Sequence, residues 1–392
     1  MPNPSSPGPS PDSFSSVFRV YEVKFEGESI VYYGEPLTTH HSIIEFVWPL
    51  FKENGYEIQL TPQLGEWTLR AQPTHNAPPE FPWFQLLLFI ATIISTLYAG
   101  SMWYYIPDPL SNPLSLLQAW PFAAAVIGVL AIHELGHYVV SRYYNVDATL
   151  PYFIPMPSFI GTLGAVIRIK GHIPTRTALF DIGIAGPIAG LLATIVITAI
   201  GLSLDPISIP TWVDSSTPGV FAVEFGYPIL FKLIAILVGS PGTENAFGVL
   251  IGVNKIGYSD PNLAFNPVVF GGWVGMFVTF LNLLPVGQLD GGHILRGLLG
   301  KRAATVSALV PGFLFGLAAF LYYFGEKFFT ANVDSAVSMW LFWGILTLFL
   351  AQSGYARPIK DEPLDLKRKI LGLSIFLIGF ICFTPIPLQI LG

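Results

Sequence analysis

Apolar runs long enough to cross a lipid bilayer recur along this chain, and they constrain its fold more than any other feature. A helical crossing takes roughly 20 apolar residues. Such runs lie at about 83–105, 119–142, 178–203, 264–287, 303–324, 336–353 and 368–388. Only 11% of the residues are charged and 52% are hydrophobic, against about 25% charged in ordinary soluble domains. The chain therefore lacks the polar surface to stay in water. A multi-pass α-helical membrane protein of about seven spans is predicted. The run at 227–239 (YPILFKLIAILVG) is short and carries Lys232, which fits a re-entrant or interfacial segment better than a crossing.

The N-terminal part reads differently. Residues 1–16 are rich in Pro and Ser and read as a disordered tail. They show neither the basic-then-apolar pattern of a signal peptide nor the arginines of a transit peptide. Residues 17–80 read as a small soluble α+β domain: FRVYEVKFEGESIVYYGEP alternates as paired strands do, HHSIIEFVWPLFKENG has helical spacing ending at Asn54-Gly55, and YEIQLTPQLGEWTLRAQP reads as two more strands about a glycine turn. A Pro-rich hinge follows at 73–82, and residues 81–392 form the membrane part.

Charge placement tests the span count. Arg142, Arg168, Lys170 and Arg176 lie between spans two and three; Arg296, Lys301 and Arg302 lie between four and five; Arg357, Lys360, Lys367, Arg368 and Lys369 lie between six and seven. The alternate loops 106–118 and 204–226 hold no Lys or Arg, and 325–335 holds only Lys327. By the positive-inside rule this alternation puts the N-terminal domain, the basic loops and the active-site end in the cytoplasm, and a multi-pass protein of the cell (plasma) membrane is expected. The net charge of −6 excludes the basic footprint of a nucleic-acid binder, and a single cysteine, Cys382, excludes an intrachain disulfide.

Near the end of the second span stands His133-Glu134-Leu135-Gly136-His137. Positions i and i+4 share a helix face, so both imidazoles can bind one metal ion, with Glu134 beside them to take a proton from water. Ionisable groups inside a span cost roughly 2.5–3.5 kcal/mol each and seldom persist without a role. The alternative is a structural or relay role for the same residues. A third ligand comes from Asn282-Leu283-Leu284-Pro285-Val286-Gly287-Gln288-Leu289-Asp290-Gly291-Gly292-His293, which closes the fourth span at the same depth. Asp290 completes an open His₂Asp site for one Zn²⁺. Asn282 is a candidate catalytic residue, donating to a developing oxyanion, or else a helix-to-helix hydrogen bonder. Pro285 and the glycines break the helix, which the membrane interior tolerates only beside a cavity or within protein.

HELGH on one span and NLLPVGQLDGGH on a later one resemble the site-2 protease family of intramembrane zinc metalloproteases, over roughly 119–300. The stretch GTLGAVIRIKGHIPTRTALFDIGIAGPIAG is similar to its prokaryotic and plastid branch, and no insertion reads as a PDZ domain. The resemblance implies a three-helix catalytic core of spans two, three and four. It implies His133, His137 and Asp290 as zinc ligands, Glu134 as general base and Asn282 as an oxyanion or substrate-positioning residue. It also implies hydrolysis within or near transmembrane segments of partner proteins in the bilayer. GTLGAVIRIK itself reads as a hairpin whose free edge pairs with an unwound substrate, making Gly161 and Gly164 candidate substrate-binding residues; an ordinary surface loop is the alternative. Gly183, Gly186 and Gly190 read as a small-residue packing face. His172 reads as a loop histidine, His293 as an interfacial residue or a donor behind the ligands, and His40, His41 and His75 as solvated or capping residues. Rival readings are a membrane zinc protease of soluble or prenylated chains, which ordinarily takes glutamate as third ligand, a metal or proton transporter using the same residues as a relay, and a pseudoprotease. The sequence fixes no oligomeric state.

Overall fold

The structure, a computed structural model, describes residues 8–63, 66–73, 81–211, 222–250, 252, 255–329, 333–352, 354, 356 and 358–391. The chain divides into two compact units, one of which joins the N-terminal 81 residues to Gly171–Thr175 and Pro358–Asp361. In that unit β1 (Phe18–Glu26), β2 (Ser29–Pro36), β3 (Tyr56–Gln63) and β4 (Glu66–Pro73) form an antiparallel sheet in the order β1-β2-β4-β3. Helix α1 (His40–Glu53) connects β2 to β3. Ile43, Ile44, Val47, Trp48 and Phe51 make its buried stripe, at the spacing of one helix face. Thr39 caps its start by accepting from the Ser42 N–H at 3.4 Å, and Gly55 at φ +79° turns the chain out of its end.

Two features of this unit depart from the sequence expectation. Residues 1–7 of the expected tail, most of the 73–82 hinge and His75 lie outside the described residues. Pro11–Phe14, however, form a 3₁₀ turn, and Phe14 is fully buried against Tyr32 and Phe51, because an aromatic ring gains more from the core than from water. The second departure is the pair of inserted segments. Ile359 is buried in the domain core, its N–H donates to the Ile173 carbonyl at 2.9 Å, and Thr175 bridges Lys360 in parallel. His172 is a loop histidine as expected, with Nδ1 3.6 Å from Glu57, too long for a hydrogen bond. Burial pushes the Glu57 carboxyl up, and His172 together with Lys52 more than offsets this, holding it below its ordinary value.

The second unit is helical. Its elements are α2 (Trp83–Trp103), α3 (Trp120–Tyr143), β5 (Asp147–Ala148), β6 (Tyr152–Pro155), β7 (Thr162–Val166), β8 (Ile169–Lys170), α4 (Arg176–Ser203), β9 (Ile207–Ser208), β10 (Ala222–Phe225), α5 (Ile229–Leu237), α6 (Ala246–Leu250), β11 (Leu263–Ala264), α7 (Val268–Asn282), α8 (Asp290–Leu299), α9 (Ala303–Ser307), α10 (Val310–Phe329), α11 (Asp334–Gln352), α12 (Leu366–Ile381) and β12 (Leu388–Leu391). The strands pair as β5–β8, β6–β7, β9–β11 and β10–β12. Side chains such as Leu87, Ile94, Leu192, Val196, Phe313, Phe349 and Leu377 are exposed, an outward apolar surface suited to lipid.

Among the described residues, the helix Trp83–Trp103, the continuous stretch Pro113–Tyr143, and the helices Arg176–Ser203 and Asp334–Gln352 are long and apolar enough to cross a membrane. The pair Asp290–Ser307 and Val310–Phe329, bent by 53°, makes five if it is one span. The count is below the expected seven because α7 has 15 residues and α12 only 16, too few at 1.5 Å each for a roughly 30 Å core. Helix α5, at nine residues, is far too short to cross, as the short run at 227–239 suggested.

Helices α3, α4 and α7 pack on one another, and small residues set their spacing. A Cβ on Gly272 would meet Thr198 Oγ1 of α4 at 2.1 Å, and one on Gly271 would meet Ala125 of α3 at 2.5 Å. Where lipid is as apolar as the partner helix, such close backbone packing replaces the hydrophobic drive. Gly272→Val should therefore wedge α7 from α4 and cost about 1–3 kcal/mol, measured by unfolding in detergent. Gly312→Ala, whose Cβ would meet nothing within 4 Å, should be near neutral. Equal stability of the two variants would contradict the packing account.

Candidate metal centre

The site begins with the approach of α3 to α4. A Cβ on Gly136 would meet the Ala185 carbonyl oxygen at 2.6 Å, so the two helices touch backbone to backbone there. Across that contact, Gly186 and Gly190 stand where the two imidazoles lie. A Cβ on Gly186 would fall 2.0 Å from His137 Nε2, and one on Gly190 would fall 2.8 Å from His133 Nδ1. His133 and His137 are consequently buried, at 3% and 6% exposure. His137 Nδ1 donates to the Ile182 carbonyl of α4 at 2.7 Å. That bond fixes the tautomer and leaves the Nε2 lone pair free.

Asp290 arrives from the other side. Helix α7 ends at Asn282, residues 283–289 fold back as a loop, and Asp290 opens α8. The fold-back is tight: a Cβ on Gly291 would meet the Leu283 carbonyl oxygen at 2.3 Å, and one on Gly292 would meet that of Gly287 at 2.3 Å. Only glycine fits beneath those carbonyls. Asp290 is the first residue of α8, directly after the N-cap Leu289. Its Oδ2 lies 3.1 Å from His133 Nε2 and its Oδ1 3.2 Å from His137 Nε2. The two Nε2 atoms are 3.2 Å apart, and Asn282 Nδ2 stands 3.1 Å from His133 Nε2.

These distances fit a metal. Ligands about 2.0–2.1 Å from a tetrahedral zinc lie about 3.3 Å from one another. Among the described residues, His133, His137 and Asp290 form the group whose donor atoms converge within 4.8 Å. The donor set, two neutral nitrogens and a carboxylate, leaves one tetrahedral position open.

Glu134 points into the same space. Its Oε2 accepts the Ile167 N–H at 2.9 Å, while Oε1 lies 4.0 Å from His133 Nε2. Ile167 follows β7, so a hairpin strand is moored to the site by this bond. The hairpin itself differs from the expected one. Its strands are Tyr152–Pro155 and Thr162–Val166, whereas Ile169–Lys170 pairs with Asp147–Ala148; the turn comes before Gly161, because Ser158 Oγ ties that turn through the Gly161 N–H at 3.2 Å. Gly164 (φ +113°) has open space about it, whereas a Cβ on Gly161 (φ +87°) would meet the Thr96 backbone of α2 at 2.4 Å. Gly161 is thus taken up in packing.

The three glycines of α4 are more than a packing face. Gly186 and Gly190 clear the room for the ligands, and Gly183 lies against His293, a Cβ there falling 2.9 Å from that side chain's own. The signal was present in the four-residue spacing of Gly186 and Gly190, which repeats that of His133 and His137, but only the helix pairing reveals it. His293 Nδ1 is buried without a hydrogen-bond partner among the described residues. His40 Nε2 sits 3.2 Å from the Leu60 carbonyl oxygen.

The model of Peptidase family M50 matches residues 121–321. The chain is 33% identical over 202 residues to the probable zinc metalloprotease EGY1, chloroplastic, of Arabidopsis thaliana, covering 51% of this chain and 33% of that protein. It is 28% identical over 327 residues to the probable zinc metalloprotease EGY2, chloroplastic, of the same plant, covering 82% and 52% respectively. A rice protein, probable zinc metalloprotease EGY1, chloroplastic, of Oryza sativa subsp. japonica, is 29% identical over 328 residues, covering 77% and 50%. The chain spans about half the length of these relatives, or less.

Gly186→Ala should abolish stoichiometric metal binding although every ligand remains, since the added methyl overlaps His137 Nε2. Gly128→Ala on α3, with nothing within 4 Å, should leave it intact. Metal content of the purified variants checks this; full occupancy in Gly186→Ala would contradict the α3–α4 geometry.

Proposed function

The chain belongs to Peptidase family M50, the site-2 protease family, and from that premise we propose that it is an intramembrane zinc metalloendopeptidase acting on transmembrane segments of other proteins. The observation that carries this reading is the convergence of His133, His137 and Asp290 at 3.1–3.2 Å, buried between helices with Glu134 beside them.

His133, His137 and Asp290 would hold one zinc ion, which would supply Lewis-acid activation of water at neutral pH. The remaining steps belong to the chain's own groups. Glu134 Oε2 accepts the Ile167 N–H while Oε1 lies 4.0 Å from His133 Nε2, so Oε1, the oxygen nearer the metal group, takes a proton from the attacking water. The same carboxyl then delivers that proton to the departing amine nitrogen, and no covalent acyl-enzyme forms. Asn282 Nδ2, beside the ligand atoms, donates to the oxygen that gains charge as the scissile carbonyl is attacked.

A transmembrane helix hides its peptide bonds within its own hydrogen-bond ladder, so hydrolysis requires a locally extended substrate. Strand β7 has only β6 as its strand partner among the described residues, and Leu163 and Val166 on it are exposed. Its other edge pairs with the substrate as an added strand, with Gly164 allowing close backbone approach and Gly161 holding the hairpin to α2. The relatives are named chloroplastic, so the plasma membrane expected from the sequence has no support from them. The basic loops at Arg142 and Arg302 and the active-site end share one face of the membrane.

Glu134→Gln tests the reading most simply. Gln is nearly isosteric, and Glu134 is not among the ligands, so zinc content should stay at one per chain. Cleavage of a membrane-protein substrate in detergent or liposomes should fall by roughly 10²–10⁴-fold. Undiminished cleavage by a clean preparation would overturn the mechanism.

A further inference from the structure

Three consecutive residues of α4 each meet a different partner. Phe180 is fully buried, between Gly297 of α8 and Gly372 of α12, where added Cβ atoms would fall 2.9 Å and 2.8 Å from it. Asp181 is gripped by Arg368 at the start of α12, which donates from Nε to Oδ1 and from Nη2 to Oδ2, both at 2.8 Å. Ile182 supplies the carbonyl that receives His137 Nδ1 at 2.7 Å. A third bond joins the same carboxylate to α3: Tyr144, immediately after that helix, donates its hydroxyl to Asp181 Oδ2 at 2.5 Å.

Arg368 is itself fixed. Its Nη1 donates to Asp365 Oδ2 at 2.6 Å, and Asp365 caps α12 by accepting the Arg368 N–H at 2.8 Å. A planar guanidinium making two parallel bonds to one carboxylate defines orientation as well as distance, which a lysine does not. Helix α12 also packs Ile375 into the cluster with Phe180, Ile184, Leu283 and Ile294, so it backs both α4 and the loop that carries Asp290. All of α12 lies beyond the residues matched by the family model, 121–321.

We propose that Arg368 is a positioning residue: through the fork on Asp181, shared with Tyr144, it fixes α4 along α3 so that the Ile182 carbonyl stays on His137 and its Nε2 stays aimed at the metal. This rests on the metallopeptidase reading above. Arg368 touches neither substrate nor metal and acts only through α4. Loss of a group that orients a ligand from behind ordinarily costs 10–100-fold in metal affinity, so the network's removal should be read first in zinc binding.

The experiment measures zinc affinity of the full chain in detergent by competition with a chelator, together with kcat, KM and thermal unfolding. Arg368→Gln should weaken zinc by about tenfold or more, and at saturating zinc should lower kcat with little change in KM. Arg368→Lys, keeping the charge but losing the fork, should fall between it and wild type. Tyr144→Phe, a single lost hydrogen bond, should weaken zinc a few-fold, and the exposed Arg302→Gln should change nothing. If Arg368→Gln does not fold, Arg368→Lys and Tyr144→Phe decide. Folded variants that bind zinc as tightly as wild type, even if their melting temperature drops, overturn the inference alone. A wild-type chain that takes up no stoichiometric zinc overturns the metallopeptidase reading and the inference with it.

Discussion

Everything at the site depends on how closely α3 approaches α4. Gly136 meets the Ala185 carbonyl, and Gly186 and Gly190 occupy the positions from which any side chain would displace His137 and His133. A glycine inside a helix costs about 0.5–1 kcal/mol relative to alanine. In lipid that cost is offset by close backbone contact, which stands in for the hydrophobic force missing between membrane helices. The same spacing carries the His137–Ile182 bond, so a packing requirement and a ligand-orienting requirement are met by one helix pair.

The opposite wall obeys a similar logic. The break after Asn282 would expose backbone polar groups in the membrane interior, which is tolerable only where protein covers them. Here the loop turns over Gly291 and Gly292, and Ser307 Oγ donates to the Pro285 carbonyl at the broken segment. Breaking the helix frees Asp290 from the α7 register and presents its carboxylate to both imidazoles. The charge of that carboxylate compensates a buried cation more effectively than a third neutral ligand would.

The residues of the converging group, His133, His137 and Asp290, were legible in the sequence because their chemistry is local: two histidines four apart on an apolar helix, and an aspartate in an apolar segment broken by proline and glycines. The N-terminal strands and α1 were legible from alternation and helical spacing. What could not be read there is set by contacts distant in sequence. The β6–β7 hairpin takes its register from Tyr152–Val166 pairing and a bulge at Ile154/Pro155, and GTLGAVIRIK alone suggested a different turn. Gly171–Thr175 and Pro358–Asp361 fold with the N-terminal domain although each lies in a loop of the membrane part. Arg368 read as one of several basic loop residues; its fork on Asp181 spans 187 positions. The shortness of α7 and α12 was hidden because an apolar run marks the residues that lipid accepts and not the residues that are helical.

The most direct test of the central claim is zinc K-edge X-ray absorption on the purified full chain. The account predicts one zinc per chain with nitrogen and oxygen neighbours at about 2.0–2.2 Å and the outer-shell scattering of two imidazoles. Two imidazoles with no sulfur would match His133, His137 and Asp290, since the chain's single cysteine, Cys382, is not among them. A sulfur neighbour at about 2.3 Å, or a shell with no imidazole scattering, would contradict it.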